Sequence, residues 1–278
     1  MIIQEALAFG RQQLTGSTNA SLDARLLLEH VLKADHTFLV AHREEQLSAV
    51  QEKEFRLLIE RAARQEPIPY LTGQTYFFGR LFQVNPAVLI PRPETEQLVE
   101  CALRWAGQRE TVHLVDVGTG SGCIAITLAL ELSAAIIEAV DISADALVVA
   151  RENAAVHGVA DRVRFCQGNL LQPVTRQPNL IIANLPYIAD HEWPSLADGV
   201  KLYEPTTALL GGPDGLGLIR QLLGDAREKL AANGAIFLET GWQQGSAVQH
   251  LAQTFFPSGQ VELLVDYAGH DRIISITS

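Results

Sequence analysis

Cysteine is scarce in this 278-residue chain: Cys101, Cys123 and Cys166 stand far apart with no CxxC pair, which argues against a disulfide framework and a cysteine zinc site. Basic residues are outnumbered as well. The 21 lysines and arginines against 32 aspartates and glutamates leave a net charge of −11, so the chain as a whole lacks the cationic field that gathers nucleic acid. No run approaches the ~18 apolar residues of a membrane span, and the opening MIIQEALAFGRQQ has no basic stretch ahead of an apolar one. The expectation is a cytoplasmic protein with neither a membrane nor a nucleic-acid partner. His113, His157 and His191 are scattered without metal-ligand spacing, so no metal is expected and none of the three is given a catalytic role. What the chain does have is 47% hydrophobic residues against 19% charged, enough apolar surface to offset chain entropy in a sizeable core.

Helical periodicity opens the sequence. Ala24, Leu27, Leu28 and Val31 recur at i, i+3, i+4 and i+7, and Phe55, Leu58, Ile59 and Ala62 repeat that spacing, each set forming one apolar stripe. Ser21 is expected to cap the first helix, and Ser48 with Gln51 to form a capping box at the second. Pro67 and Pro69 are expected to end the helical run. Thr75 to Val84 then reads as a hairpin, with Gly79 at the first position of a type II′ turn.

From Pro93, where Leu98, Cys101, Ala102 and Trp105 make a further stripe, strands and helices alternate. Strands are predicted at Val112–Val117, Ile136–Val140, Val163–Cys166, Leu180–Ala183, Ala235–Glu239, Val261–Val265 and Arg272–Ile276. Helices are predicted after Gly122, from Ser143 to His157 and from Gly215 to Ala232. Apolar runs without clean alternation suggest strands covered on both faces, hence a mostly parallel, doubly wound α/β sheet.

Two segments carry chemistry. In VDVGTGSGCIAI, Gly118, Gly120 and Gly122 fall between a strand and a helix, where a missing Cβ lets the backbone turn sharply and approach a ligand. A dinucleotide fingerprint needs its third glycine or alanine at position 123, where Cys123 stands, so NAD is disfavoured. Asp141, nineteen residues after Gly122 at the end of the next strand, can accept both hydroxyl protons of a ribose. The plainer alternative is a tight turn with Asp141 capping a helix. Asn169 follows the third strand, where its amide could meet an adenine edge or simply cap a helix.

The second segment is Asn184, Leu185, Pro186 and Tyr187, at the carboxyl edge of a buried strand. The Asn184 side-chain oxygen and the Leu185 carbonyl are two acceptors able to hold the two protons of an NH₂ group, with Pro186 stiffening the turn and Tyr187 offering a flat face. A proline-terminated strand with a core tyrosine is the competing reading.

LIPRPETEQLVE (89–100), VDVGTGSGCIAI (115–126), VDISADALVVARENA (140–154), NLPYI (184–188), YEPTTALLGGPDGL (203–216) and AGHDRI (268–273) together resemble the HemK/PrmC family of class I S-adenosylmethionine-dependent methyltransferases. The resemblance covers nearly the whole chain. It implies a Rossmann-like methyltransferase sheet with a small N-terminal helical domain: residues 1–70 as a helical substrate-docking domain, 71–90 as a hairpin linker and 91–278 as the methyltransferase domain. It also implies S-adenosyl-L-methionine as cofactor, class 1 peptide-chain release factors as partners, and transfer of methyl to the glutamine nitrogen of their Gly-Gly-Gln loop by a monomer.

By the same resemblance, Gly118, Thr119, Gly120, Ser121 and Gly122 lie along the cofactor's methionine portion, Asp141 binds its ribose and Asn169 nears its adenine. Asn184 and the Leu185 carbonyl hold the target amide, with Pro186 and Tyr187 shaping the pocket around it. The family usually has Asn-Pro-Pro-Tyr, so Leu185 is a departure expected to loosen the turn. Asn-Leu-Pro-Tyr also resembles ribosomal RNA adenine dimethyltransferases, which makes RNA adenine N6-methylation one alternative. A non-catalytic adenosine-binding protein is another. Glu204 is read as fixing a loop beside the active site, and Arg92 as either a substrate contact or half of an inter-domain ion pair, the latter preferred.

Overall fold

The computed structural model describes residues 1–107, 109 and 111–278. In chain order it runs through α1 (Ile3–Gln13), α2 (Ala20–Leu32), α3 (His36–Ala41), α4 (Ala49–Ala63), α5 (Ile68–Thr72), β1 (Gln74–Phe77), β2 (Arg80–Gln83) and α6 (Glu94–Ala106). Next come β3 (His113–Val117), α7 (Cys123–Glu131), β4 (Ile136–Asp141), α8 (Ala144–Val156), β5 (Val163–Gln167), β6 (Leu180–Ala183), β7 (Ile188–Ala189) and α9 (Asp198–Tyr203). The chain closes with β8 (Leu210–Gly212), α10 (Gly217–Lys229), β9 (Ala235–Glu239), α11 (Gly245–Phe255), β10 (Gln260–Val265) and β11 (Asp271–Thr277). Two compact units result: Met1–Gln74 with Leu196–Tyr203, and Thr75–Ser195 with Glu204–Ser278.

The helical unit is organised by the stripes read from the sequence. Leu27 and Leu28 of α2 meet Phe55 and Ile59 of α4 in one apolar cluster with Ile3, Ala6 and Leu39. Each such side chain removed from water contributes roughly 1.5–3 kcal/mol before chain entropy is counted. Gly10 makes the approach of α1 to α2 close: a Cβ there would lie 2.7 Å from the Ala24 Cβ. Ser48 and Gln51 form the expected capping box on α4. Ser21 does not cap α2, which begins two residues earlier, at Ala20 after Asn19; the Ser17 hydroxyl instead donates to Asp23 at 2.5 Å. Nor do the two prolines end the helical run. Pro67 precedes α5 and Pro69 occupies its first turn, where a missing N–H costs nothing. The return segment holding α9 belongs to this unit, with the Tyr203 hydroxyl donating to the Arg64 carbonyl at 3.2 Å.

The hairpin differs from expectation in its turn. Phe78 and Gly79 both have positive φ (51° and 70°), so the loop is of type I′ with glycine second, and the Phe78 N–H donates to Glu96 at 2.8 Å. Strand β2 is held to α8 by Asn153, which accepts from the Gln83 N–H and donates to its carbonyl.

The second unit is built on a seven-stranded sheet ordered β10-β11-β9-β6-β3-β4-β5, parallel except for β11, which runs against both neighbours. Strands β3, β6 and β9 are buried along their whole length, as expected for strands covered on both faces. The chain winds outward from β3 through β4 to β5, then crosses back to β6 on the other side of β3. That reversal opens a crevice beyond the carboxyl ends of β3 and β6, the usual ligand position in open α/β sheets. Among the described residues no helix is long and apolar enough to cross a membrane.

Gly10→Val should lower stability by about 1–3 kcal/mol through overpacking. Urea unfolding followed by circular dichroism would register this as a lower midpoint; an unchanged midpoint would mean that α1 and α2 can separate without loss.

Candidate active site

The glycine loop leaves β3 by folding across the end of β4: the Gly118 and Thr119 N–H groups both donate to the Val140 carbonyl, at 2.8 and 3.0 Å. Gly120, at φ +55°, has open space where a Cβ would point, and its N–H donates to Asp141 Oδ2 at 2.8 Å. Gly122, at φ +80°, answers a different need, since a Cβ there would reach within 2.8 Å of Ile126 and 3.2 Å of Ala150. The one glycine leaves room for a ligand and the other lets α7 and α8 pack.

Asp141 Oδ1 accepts the Ser143 N–H at 2.9 Å, so each carboxylate oxygen carries one backbone donor and keeps a second lone pair. Burial raises its pKa, opposed chiefly by the Ser143 and Gly120 donors. Such a carboxylate suits a ligand bearing two neighbouring hydroxyls. It sits on the wall of a cavity of about 320 Å³, which also takes in Gly118, Gly120, Ile142, Asn169 and the segment Asn184 to Pro186. Ile142 is 62% exposed there, an apolar surface against which a planar ring can lie.

On the facing side, Asn184 follows β6 and donates from Nδ2 to Thr95 Oγ1 at 3.1 Å; Thr95 in turn donates to Glu239 Oε2 at 2.7 Å. Glu239 ends β9 almost fully buried, and burial pushes its carboxyl up to about 7. Leu185 is also buried, with its Cδ2 only 3.2 Å from where a Gly118 Cβ would stand, so its side chain wedges the Asn184 loop against the glycine loop. The Tyr187 carbonyl accepts from Gln244 Nε2 at 2.8 Å, and burial beside the Glu239 charge pushes its phenol up to about 12.

Of the residues singled out in the sequence, Gly118, Gly120, Asp141, Asn169, Asn184, Leu185 and Pro186 line one cavity. Thr119, Ser121, Gly122 and Tyr187 do not line it. Thr119 Oγ1 donates to Asp116 at 2.6 Å, and the Ser121 carbonyl accepts from Asn153 at 2.9 Å, so these two residues brace the loop. Arg92 donates to Glu204 at 2.5 Å, while Glu204 also accepts the Ile90 N–H; the ion pair expected between domains thus joins two segments of the sheet-bearing unit. His113 is bonded to Glu138 and His157 to the Leu81 carbonyl, neither on the cavity wall. Sequence reasoning gave no role to Thr95 and Glu239 behind Asn184, nor to Thr207, Ala208 and Leu210 on the wall. The one signal for Glu239 was an acid closing an otherwise apolar strand. No group of three or more metal-ligating side chains occurs among the described residues.

Two family models match the chain: one described as the PrmC N-terminal domain over residues 5–73, the other as the methyltransferase small domain over 95–198. A release factor glutamine methyltransferase of Bacillus cereus is 37% identical over 280 residues, covering 99% of this chain and 98% of that one. One from Neisseria gonorrhoeae is 42% identical, covering 91% of both. The chain belongs to the release factor glutamine methyltransferase family. A methyltransferase from Pyrococcus furiosus aligns on the fold with a TM-score of 0.53 at 14% identity, over 81% of this chain and 98% of its own. Membership over nearly the full length disfavours the RNA-adenine and non-catalytic alternatives, since the match spans the helical unit as well as the sheet.

Within this family member, Asp116 lies beneath the glycine loop fully buried, with both donors, Thr119 and Ala125, on Oδ2 and none on Oδ1. Burial pushes its carboxyl from 3.8 up to about 7. A raised folded pKa means that the stability it contributes is complete below about pH 4 and is lost as pH climbs to about 7. Asp116→Asn cannot ionise, so the wild-type chain should lose stability relative to this variant across that window. Urea titrations at several pH values would reveal it; parallel curves would show that Asp116 titrates as it does in the unfolded chain.

Proposed function

We propose that this chain transfers the methyl group of S-adenosyl-L-methionine to the side-chain amide nitrogen of the glutamine in the Gly-Gly-Gln motif of class 1 peptide-chain release factors, acting as a cytoplasmic monomer. The observation that carries the reading is the placement of Asn184, an amide with its Nδ2 already engaged by Thr95, on the wall of the cavity that Asp141 also lines.

The residues present fit the cofactor. Asp141 has an acceptor site left on each oxygen for a ribose diol, Gly120 leaves the wall open where a side chain would intrude, and Ile142 and Asn169, on the same wall, can offer an adenine an apolar face and a polar edge. When bound, S-adenosyl-L-methionine supplies a methyl made electrophilic by the sulfonium.

The chain's own task is to present a weak nucleophile. An amide nitrogen shares its lone pair with the carbonyl and gains positive charge as it is alkylated. Acceptors on both N–H bonds, Asn184 Oδ1 and the Leu185 carbonyl, strengthen as that charge develops, so they favour the transition state over the ground state. Leu185 leaves this arrangement intact, because the acceptor is a backbone oxygen and the side chain is buried under Gly118. The net charge of −11 further supports a protein rather than a nucleic-acid substrate.

Incubation with a labelled methyl donor and either release factor or ribosomal RNA, followed by mapping of the label, tests this reading. Label is expected on the Gly-Gly-Gln glutamine, with kcat reduced about 100-fold or more in Asn184→Ala. Asp141→Ala should weaken donor binding by roughly tenfold to a hundredfold in isothermal titration, through loss of charge-assisted hydrogen bonds. Label on RNA adenine would overturn the assignment.

A further inference from the structure

The sheet brings Asn184 and Glu239 to the same edge. Ala183 of β6 is in register with Leu238 of β9, so the residues that follow them stand level at the carboxyl ends of adjacent parallel strands. Thr95, in the first turn of α6, lies between them and has one hydroxyl proton. That proton goes to Glu239 Oε2 at 2.7 Å, which leaves Oγ1 free to accept from Asn184 Nδ2 at 3.1 Å. The direction of the two bonds decides which end of a planar amide is held. With Nδ2 on Thr95, Oδ1 is the end left unheld; with the polarity reversed, Thr95 would donate to Oδ1 and leave the NH₂, which cannot accept a proton from a target amide.

We propose that Thr95 and Glu239 are positioning residues that fix the rotation of the Asn184 carboxamide, so that its oxygen faces the target nitrogen. This rests on the methyl-transfer reading above. Neither residue lines the cavity, and the hydrogen bonds given for the pair lead to it through Asn184. Both are buried, 3% and 2% exposed, where an orientation set by hydrogen bonding is not averaged by water.

The arrangement gives the reaction an acid limb. A charged Glu239 can only accept, whereas a protonated one can donate to Thr95 and release its hydroxyl to bond Oδ1. The charged and titratable groups around Glu239 are Glu94 at the start of α6, Arg92 ahead of it, Arg272 on β11 and Tyr187 after β6. Arg92 and Arg272 lower its pKa and Glu94 raises it, with burial the largest influence and the balance near 7.

Three variants separate orientation from packing. Thr95→Val keeps the volume and removes both bonds; Glu239→Gln removes the charge that makes residue 239 an acceptor only, since an amide can donate an N–H to Thr95 as well as accept from it; Thr95→Ser keeps the hydroxyl. In methyl transfer to release factor, the first two should each lower kcat about tenfold or more with KM for the protein substrate within about twofold, and the double variant should fall no further than either. Thr95→Ser should stay within about threefold of wild type. The wild-type kcat should fall as pH drops through about 7, and Glu239→Gln should lack that limb. The side-chain ¹⁵NH₂ resonances of Asn184, recorded without substrates, should move in Thr95→Val and Glu239→Gln. Unmoved resonances, or a Thr95→Val kcat within twofold of wild type, overturn the proposal. Resonances that move while the wild-type chain leaves the glutamine unmethylated support the pair's hold on Asn184 and overturn the functional reading instead.

Discussion

The bond from the Gly120 N–H to the Asp141 carboxylate joins the ends of two neighbouring strands, and the cavity depends on it. A loop of small residues following β3 has little side-chain surface with which to hold itself in place. Its shape comes from backbone donors that find acceptors on β4, first the Val140 carbonyl and then Asp141. The same carboxylate also lines the cavity, so the group that shapes the loop forms part of the wall as well. Its exposure to competing demands is visible in its burial, which raises its pKa while its backbone donors lower it.

Opposite this clamp, the Asn184 loop is secured at both ends, by Thr95 at the asparagine and by Gln244 at the tyrosine carbonyl, with Leu185 driven into the core between them. A proline in that position would stiffen the backbone through its ring. Here a large apolar side chain braces the turn from below, against Gly118. The expectation of a looser turn came from backbone rigidity alone and had no means of weighing side-chain packing.

Much of the architecture was legible because it rests on local periodicity. The stripes on α2 and α4 name their own buried faces, and the apolar runs give β3, β6 and β9 to within a residue. Asp141 and Asn184 were legible because each follows a strand at the sheet edge, where position alone implies a crevice. What failed to show was anything set by contacts between distant segments. Thr95 and Glu239 are 144 residues apart, and neither residue type announces a partner. The hairpin turn was misassigned because Phe78 adopts a positive φ, which an aromatic residue seldom does without outside support such as the bond to Glu96. Ser21 lost its capping role to a start site two residues earlier, a shift that propensity does not resolve.

The helical unit is not a contiguous stretch of chain. Residues 196–203 leave the other unit shortly after the Asn184 loop, contribute α9, and return at Glu204, which bonds Arg92. The polypeptide therefore passes between the units three times, after Gln74, after Ser195 and after Tyr203. A gene fusion that exchanged only the first 74 residues would graft a module without its last helix and leave an orphaned insert in the recipient. A domain tethered once can be exchanged by a single crossover; one stitched in at three points needs all three junctions to be respected.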